Sequence, residues 1–152
     1  MTMEGVYPML VGKYQNSIDA KSRMIVPAKF REELGTKCVV NKALDHCLEI
    51  HPMEEWETFV NEKLKVLSSF DPKARQLARY FSSSAETCEI DKQGRITIPQ
   101  ELREYAGIEK ELVTVGAFEK IEVWSKDAWE KYEQERDMSA SAIAECMAGY
   151  GF

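Results

Sequence analysis

Short apolar runs separated by polar turns recur along this chain, and the same order of runs occurs twice. Tyr14 to Ile18 is a mostly polar lead-in that ends on a β-branched residue, and a polar D-x-x-x-R stretch from Asp19 to Arg23 follows it. The apolar, β-prone run Met24-Ile25-Val26 comes next, so the pattern predicts strand, turn, strand. Pro27 suits the first position of a helix and Gly35 marks its end, which leaves about two helical turns with Phe30 and Leu34 inward. Cys38 to Asn41 and Cys47 to His51 read as a strand and its pairing partner. A helix opened by Pro52 then carries Trp56, Phe59, Val60, Leu64 and Leu67 at helical spacing, and that periodicity predicts core packing.

The second half repeats this order. Cys88 to Gly107, CEIDKQGRITIPQELREYAG, aligns with Asn16 to Gly35, NSIDAKSRMIVPAKFREELG, at a constant offset of 72 with seven identities in twenty. The matched pairs include Asp19/Asp91, Arg23/Arg95, Pro27/Pro99, Arg31/Arg103 and Gly35/Gly107, and the pairs Met24/Ile96, Val26/Ile98 and Phe30/Leu102 keep apolar character. After one extra residue, Leu48-Glu49-Ile50 matches Ile121-Glu122-Val123 and Trp56 matches Trp129. Leu112 to Ala117 and Lys120 to Trp124 are the corresponding strands, and Ser125 caps a helix bearing Trp129 and Tyr132. Such self-similarity predicts a tandem duplication. The expected division is an N-terminal extension over residues 1–8, a first repeat over 9–70, a linker helix over 71–84 started by Asp71-Pro72, a second repeat over 85–135, and a tail or weak helix over 136–152.

Composition narrows the class. The 152 residues are 44% apolar, with 8 Gly and 5 Pro, as in a folded protein. No apolar run approaches the ~18 residues that a membrane-spanning helix needs. Cys38, Cys47, Cys88 and Cys146 are widely spaced without a C-x-x-C pair, which reads as a reducing cytosol. His46, Cys47 and His51 cluster in sequence but lack the second pair that would complete a four-ligand zinc site, so neither a metal nor any other cofactor is expected. There is no P-loop, H-E-x-x-H, G-x-S-x-G or Rossmann fingerprint. Asp19 and Asp91 could be imagined as paired acid/base carboxylates, but equivalent positions in two repeats, each with its own Arg, point to one structural role used twice, and no catalytic residue is assigned.

The net charge of −6 speaks against a uniformly basic nucleic-acid coat. By segment the picture changes: residues 9–42 sum to +4 and 73–103 to +2, whereas 43–72 sum to −5 and 104–152 to −6. Segregation of this kind fits a protein that meets phosphate on one face. A solvated surface with uneven charge gives the same numbers, and Arg23 and Arg95 could simply pair with Asp19 and Asp91.

These residues resemble the MraZ family, bacterial transcription regulators of the division and cell-wall gene cluster, within the wider AbrB-like group of swapped-hairpin DNA-binding folds. GKYQNSIDAKSRMIVPAKFREELG and EIDKQGRITIPQELREYAG carry the resemblance, which runs from about Met9 to the C-terminus. It implies an α+β, tandem-duplicated swapped-hairpin (double-split) β-barrel with short flanking helices. It further implies binding to direct repeats in double-stranded promoter DNA, usually as a repressor, a ring-shaped homo-oligomer (octamer or dodecamer), and a cytoplasmic, nucleoid-associated protein with no membrane partner. On that reading Lys21, Arg23, Lys92 and Arg95 face DNA with Lys13 as a phosphate contact beside them, and Asp19, Asp91 and Gly94 shape the loops. The competing reading is a structural or protein-interaction module that oligomerises through its hairpins without DNA. Ser22 stands where the family generally has Gly, and Lys13 and Asn16 stand where an acid and a His are common. Gly94 in the matching loop marks a left-handed position, which predicts a positive φ at Ser22.

Overall fold

A computed structural model describes residues 9–152. The expected extension, 1–8, lies outside them. The first copy contributes β1 (Lys13–Ser17), β2 (Arg23–Ile25), α1 (Ala28–Leu34), β3 (Lys37–Lys42), β4 (Leu48–Pro52) and α2 (Met53–Phe59), and α2 runs on into a π-helical turn over Val60–Leu64. Then come α3 (Pro72–Ser84), β5 (Glu86–Glu89), β6 (Arg95–Thr97), α4 (Gln100–Ala106), β7 (Glu111–Gly116), β8 (Ile121–Ser125), α5 (Lys126–Glu135) and α6 (Ala140–Gly149).

The strands form a six-stranded sheet in the order β1-β7-β8-β4-β3-β5 and a two-stranded ribbon of β2 and β6, all antiparallel. The two copies exchange their lead strands. β1 of the first copy pairs with β7 of the second, Gln15 opposite Val113, while β5 of the second pairs with β3 of the first, Cys38 opposite Cys88. β2 and β6 then cross between copies with Met24 opposite Ile96. Neither copy can close its own sheet, so the duplication folds as one unit with a single main core.

That core is built from the apolar positions the repeat predicts. Met24, Val26, Phe30, Leu34, Ile96, Ile98, Leu102 and Ala106 are buried together with Leu48, Ile50, Ile121 and Val123. Each large side chain removed from water contributes about 1.5–3 kcal/mol, and Tyr14 packs edge-on against Phe30 at 5.3 Å between ring centres. A smaller cluster joins Val113 and Trp124 to Trp129 and Tyr132 of α5, with Ser125 Oγ accepting the Ala128 N–H at 3.1 Å as the helix cap.

Two local expectations shift. Pro27 and Pro99 occupy the N-cap, with extended ψ of 134° and 149°, one residue before the first helical position. Trp56, Phe59, Val60 and Leu64 are half-buried and Leu67 is exposed; apart from Phe59, they line an open groove against α3 instead of entering the core. Periodicity identified the apolar face of α2, but α3 packs beside it as the other wall of the groove and leaves the face half-buried. The tail does form a helix, capped by Ser139.

Candidate nucleic-acid interface

The two D-x-x-x-R segments fold into the same turn. Asp19 Oδ1 accepts the backbone N–H of Lys21 at 2.8 Å and of Arg23 at 2.9 Å, and its Oδ2 accepts Arg23 Nε at 2.8 Å. Asp91 repeats this with Gln93, Arg95 and Arg95 Nε, all at 2.9 Å. Backbone bonds close both hairpins, from Asp19 N to Arg23 O and from Asp91 N to Arg95 O, each 2.9 Å. A short Asp is the residue type for this work, because its carboxylate reaches amides two and four residues on. The Arg23 backbone N–H, followed by its guanidinium, holds the Asp19 carboxyl below the usual carboxylate range, and Arg95 does the same for Asp91.

Each loop is also held by the other copy. Val26 N donates to Gly94 O at 2.8 Å and Ile98 N donates to Ser22 O at 2.9 Å, so the two loops sit at opposite ends of the β2–β6 ribbon, related by an approximate two-fold. Arg31 Nε donates to Val26 O at 2.8 Å and Arg103 Nε to Ile98 O at 3.0 Å, which locks α1 and α4 beneath the loops. Ser22 and Gly94 have φ of 62° and 78°, the left-handed conformation predicted for both. At Gly94 a second constraint applies, since a Cβ there would lie 2.2 Å from Arg31 Cζ.

Alternation along the ribbon sorts its side chains. Met24, Val26, Ile96 and Ile98 point into the core, while Arg23, Ile25, Arg95 and Thr97 share the outer face. Lys21 and Lys92 are exposed in the loops at either end. Lys21, Arg23, Lys92 and Arg95 therefore flank one surface, although Arg23 and Arg95 start the strands and are bound through Nε to the loop aspartates instead of standing free at the tips. The pairing left open by the sequence is thus formed, and the bonds use one edge of each guanidinium. Ile25 is 51% exposed between the two arginines, and together with Thr97 and the Asn16 Nδ2 bond to Ile25 O at 2.8 Å it belongs to this face. The alternation of Met24-Ile25-Val26 was the signal that could have revealed it.

Lys13 is placed elsewhere. It begins β1, six residues and about 20 Å of extended chain from Asp19, with Glu133 at 3.9 Å and the Trp129 ring 5.8 Å from its ammonium. The other charged constellation lies on the six-stranded sheet, where Glu49 and Glu122 face each other across β4 and β8. Burial raises the Glu49 carboxyl, but bonds from His51 at 3.2 Å and Lys120 at 2.7 Å outweigh it and bring it to about 2. Burial, opposed by the Trp124 N–H and reinforced by Glu49, pushes Glu122 up. Burial also pushes the Cys38 thiol up to about 12 and the Cys88 thiol up to about 11, so these are packing residues and not thiolate nucleophiles. Among the described residues no group of three or more His, Cys, Asp or Glu is arranged to hold a metal ion, and no helix is long and apolar enough to cross a membrane.

A family model described as "MraZ protein, putative antitoxin-like" matches the chain twice, over residues 9–80 and 81–150. Among curated relatives, a protein of Caldanaerobacter subterraneus subsp. tengcongensis is 49% identical over 90% of this chain and 95% of its own length. One of Acetivibrio thermocellus is 48% identical and one of Clostridium beijerinckii 46%, each over 94% of this chain and 99% of the relative. All three bear the name "Transcriptional regulator MraZ". With both repeats matched and nearly half of all positions identical along almost the whole length, the chain belongs to the MraZ family.

Proposed function

We propose that this chain is a sequence-specific DNA-binding transcriptional regulator, a repressor of the bacterial division and cell-wall gene cluster, acting on direct repeats in double-stranded promoter DNA. The observation that carries the reading is the pair of identically built D-x-x-x-R loops at the two ends of one exposed ribbon, flanked by Lys21, Arg23, Lys92 and Arg95. A two-stranded ribbon fits the ~12 Å major groove of B-DNA. In the proposed division of labour Asp19, Asp91 and Gly94 shape the loops, the arginines present their remaining N–H groups to base edges, and the lysines neutralise phosphate. The exchanged strands support closure of the two sheets as one swapped-hairpin barrel, with repeats over 9–70 and 85–135 and the 71–84 helix between them. Few contacts per chain bind DNA weakly, so a homo-oligomeric ring engaging several repeats supplies avidity. The protein then works in the cytoplasm on the nucleoid, without a cofactor or catalysis.

The Asp–Arg bonds favour one rival, a hairpin module that only oligomerises. Fluorescence anisotropy with duplex DNA from the protein's own upstream region separates them. The regulator reading expects binding to direct repeats that is at least about 10³-fold tighter than to a scrambled duplex and that weakens steeply between ~50 and ~200 mM salt as counterions are released. Equal affinity for both duplexes, or a flat salt response, favours the rival.

A further inference from the structure

Among the described residues, two apolar surfaces are left uncovered. The first is α6, a 10-residue helix in which no residue is buried. Ala140, Ile143 and Met147 follow a 3-4 spacing that aligns them on one stripe, Ile143 is 41% and Met147 45% exposed, and Tyr150 at the C-cap is 82% exposed. A helix this short is marginal in water on its own, and its stability in proteins comes from packing an apolar face. The second surface is the groove between α2 and α3, about 700 Å³, whose floor includes Val39, Trp56, Val60 and Leu64. Leu67, 38% exposed, also lines it, and the neighbouring sequence positions Val66 and Phe70 and the α3 residue Leu77 are 69%, 91% and 48% exposed. Contiguous exposed apolar patches of this kind mark interaction sites.

We infer that α6 of one copy docks into the α2–α3 groove of a second copy of this chain. Two features select that occupant. The groove is open while α6 stands exposed in the same chain, so each supplies what the other lacks. Charge is complementary, because the groove lining contains Lys65 and Arg75 and no acid, whereas residues 137–152 contain Asp137 and Glu145 and no Lys or Arg. The contact is heterologous: every copy donates one helix and accepts another, which propagates head to tail and closes where the rotation allows. The inference rests on the homo-oligomer reading and names the surface responsible for it; the D-x-x-x-R loops take no part.

The test uses the full chain at fixed concentration, with mass measured by light scattering after size exclusion. The wild type is expected to be a multimer, and Ile143→Asp combined with Met147→Asp is expected to give the 17.4 kDa single chain, with an unchanged cooperative unfolding signal from the core. A monomeric wild type overturns both the oligomer reading and the inference. A multimeric wild type whose double variant keeps the same mass overturns the inference alone. As an independent arm, a short bismaleimide is added to Ala78→Cys, which places a thiol in the groove opposite the exposed Cys146; Cys38, Cys47 and Cys88 are buried. A ladder of covalent multimers that disappears with Cys146→Ser supports the proposal. Cross-linking confined within single chains, or none, overturns it.

Discussion

Gly94→Ala is the substitution for which the geometry makes the most specific demand. Gly94 sits at φ 78°, so an alanine there adopts a left-handed backbone at roughly 1–2 kcal/mol, offset in part by the smaller entropy that Ala loses on folding. Its Cβ would also come within 2.2 Å of Arg31 Cζ. The guanidinium has to move, and with it goes the 2.8 Å bond from Nε to Val26 O, a charge-assisted contact in a half-buried position worth about 1.5–3 kcal/mol. The expected loss is about 2–4 kcal/mol, or roughly 5–15 °C in Tm for a chain of this size. The decisive assay is a double-mutant cycle by denaturant unfolding at fixed protein concentration. In an Arg31→Ala background the guanidinium that the Cβ would meet is gone, so Gly94→Ala should cost only about 1 kcal/mol, which leaves a coupling of about 1–3 kcal/mol between two residues 63 positions apart. Equal cost in both backgrounds refutes the claim that Arg31 occupies the space a Cβ needs.

Other expectations follow from the same contacts. At Ser22, φ 62° with a Cβ present, Ser22→Gly should raise stability by about 1 kcal/mol or less; a lowered Tm contradicts this. Asp19, Asp91 and Glu49 have depressed folded-state pKa values, so their stabilisation is complete above the ordinary carboxylate range and is lost as pH falls through the folded values, for Glu49 from about 4.5 to about 2. Glu49→Gln should therefore flatten the acid limb of a Tm-versus-pH profile over that window, and a profile parallel to the wild type counts against the Lys120 and His51 contacts as the cause. Lys13→Ala, held at the far end of β1, should change DNA affinity by less than about 0.5 kcal/mol, and a larger loss in an anisotropy titration would put β1 in the interface.

Much of this molecule is legible in its residues because the local chemistry is repeated. The D-x-x-x-R turns, the glycine-terminated helices and the strands expected over Met24–Val26 and Ile96–Ile98 all follow from spacing and side-chain type, and the structure forms each of them, the strands one residue earlier at Arg23–Ile25 and Arg95–Thr97. Which strand pairs with which is another matter. β1 and β5 are short and mostly polar, and their exchange between copies depends on a register that only the shared core decides, with Met24 set against Ile96. The site shows the same division. Lys21 and Lys92 lie in the turns that the repeat predicts, whereas the position of Lys13 depends on strand length and on the distant Trp129 and Glu133. Ile25 and Thr97 join the outer face through strand alternation, a signal present in the sequence but weak over three residues. The α2 aromatics have a helical period, which reports an apolar face and says nothing of whether the same chain covers it.

The most direct test of the DNA-binding account is an anisotropy titration of the upstream direct-repeat duplex with wild type, Arg23→Ala, Arg95→Ala and the double variant, each first shown to unfold cooperatively. Either single substitution is expected to weaken binding by about 1–3 kcal/mol, the double by more, and discrimination against a scrambled duplex should shrink with each. Folded variants that bind both duplexes as the wild type does would remove the two arginines from the interface and contradict the account.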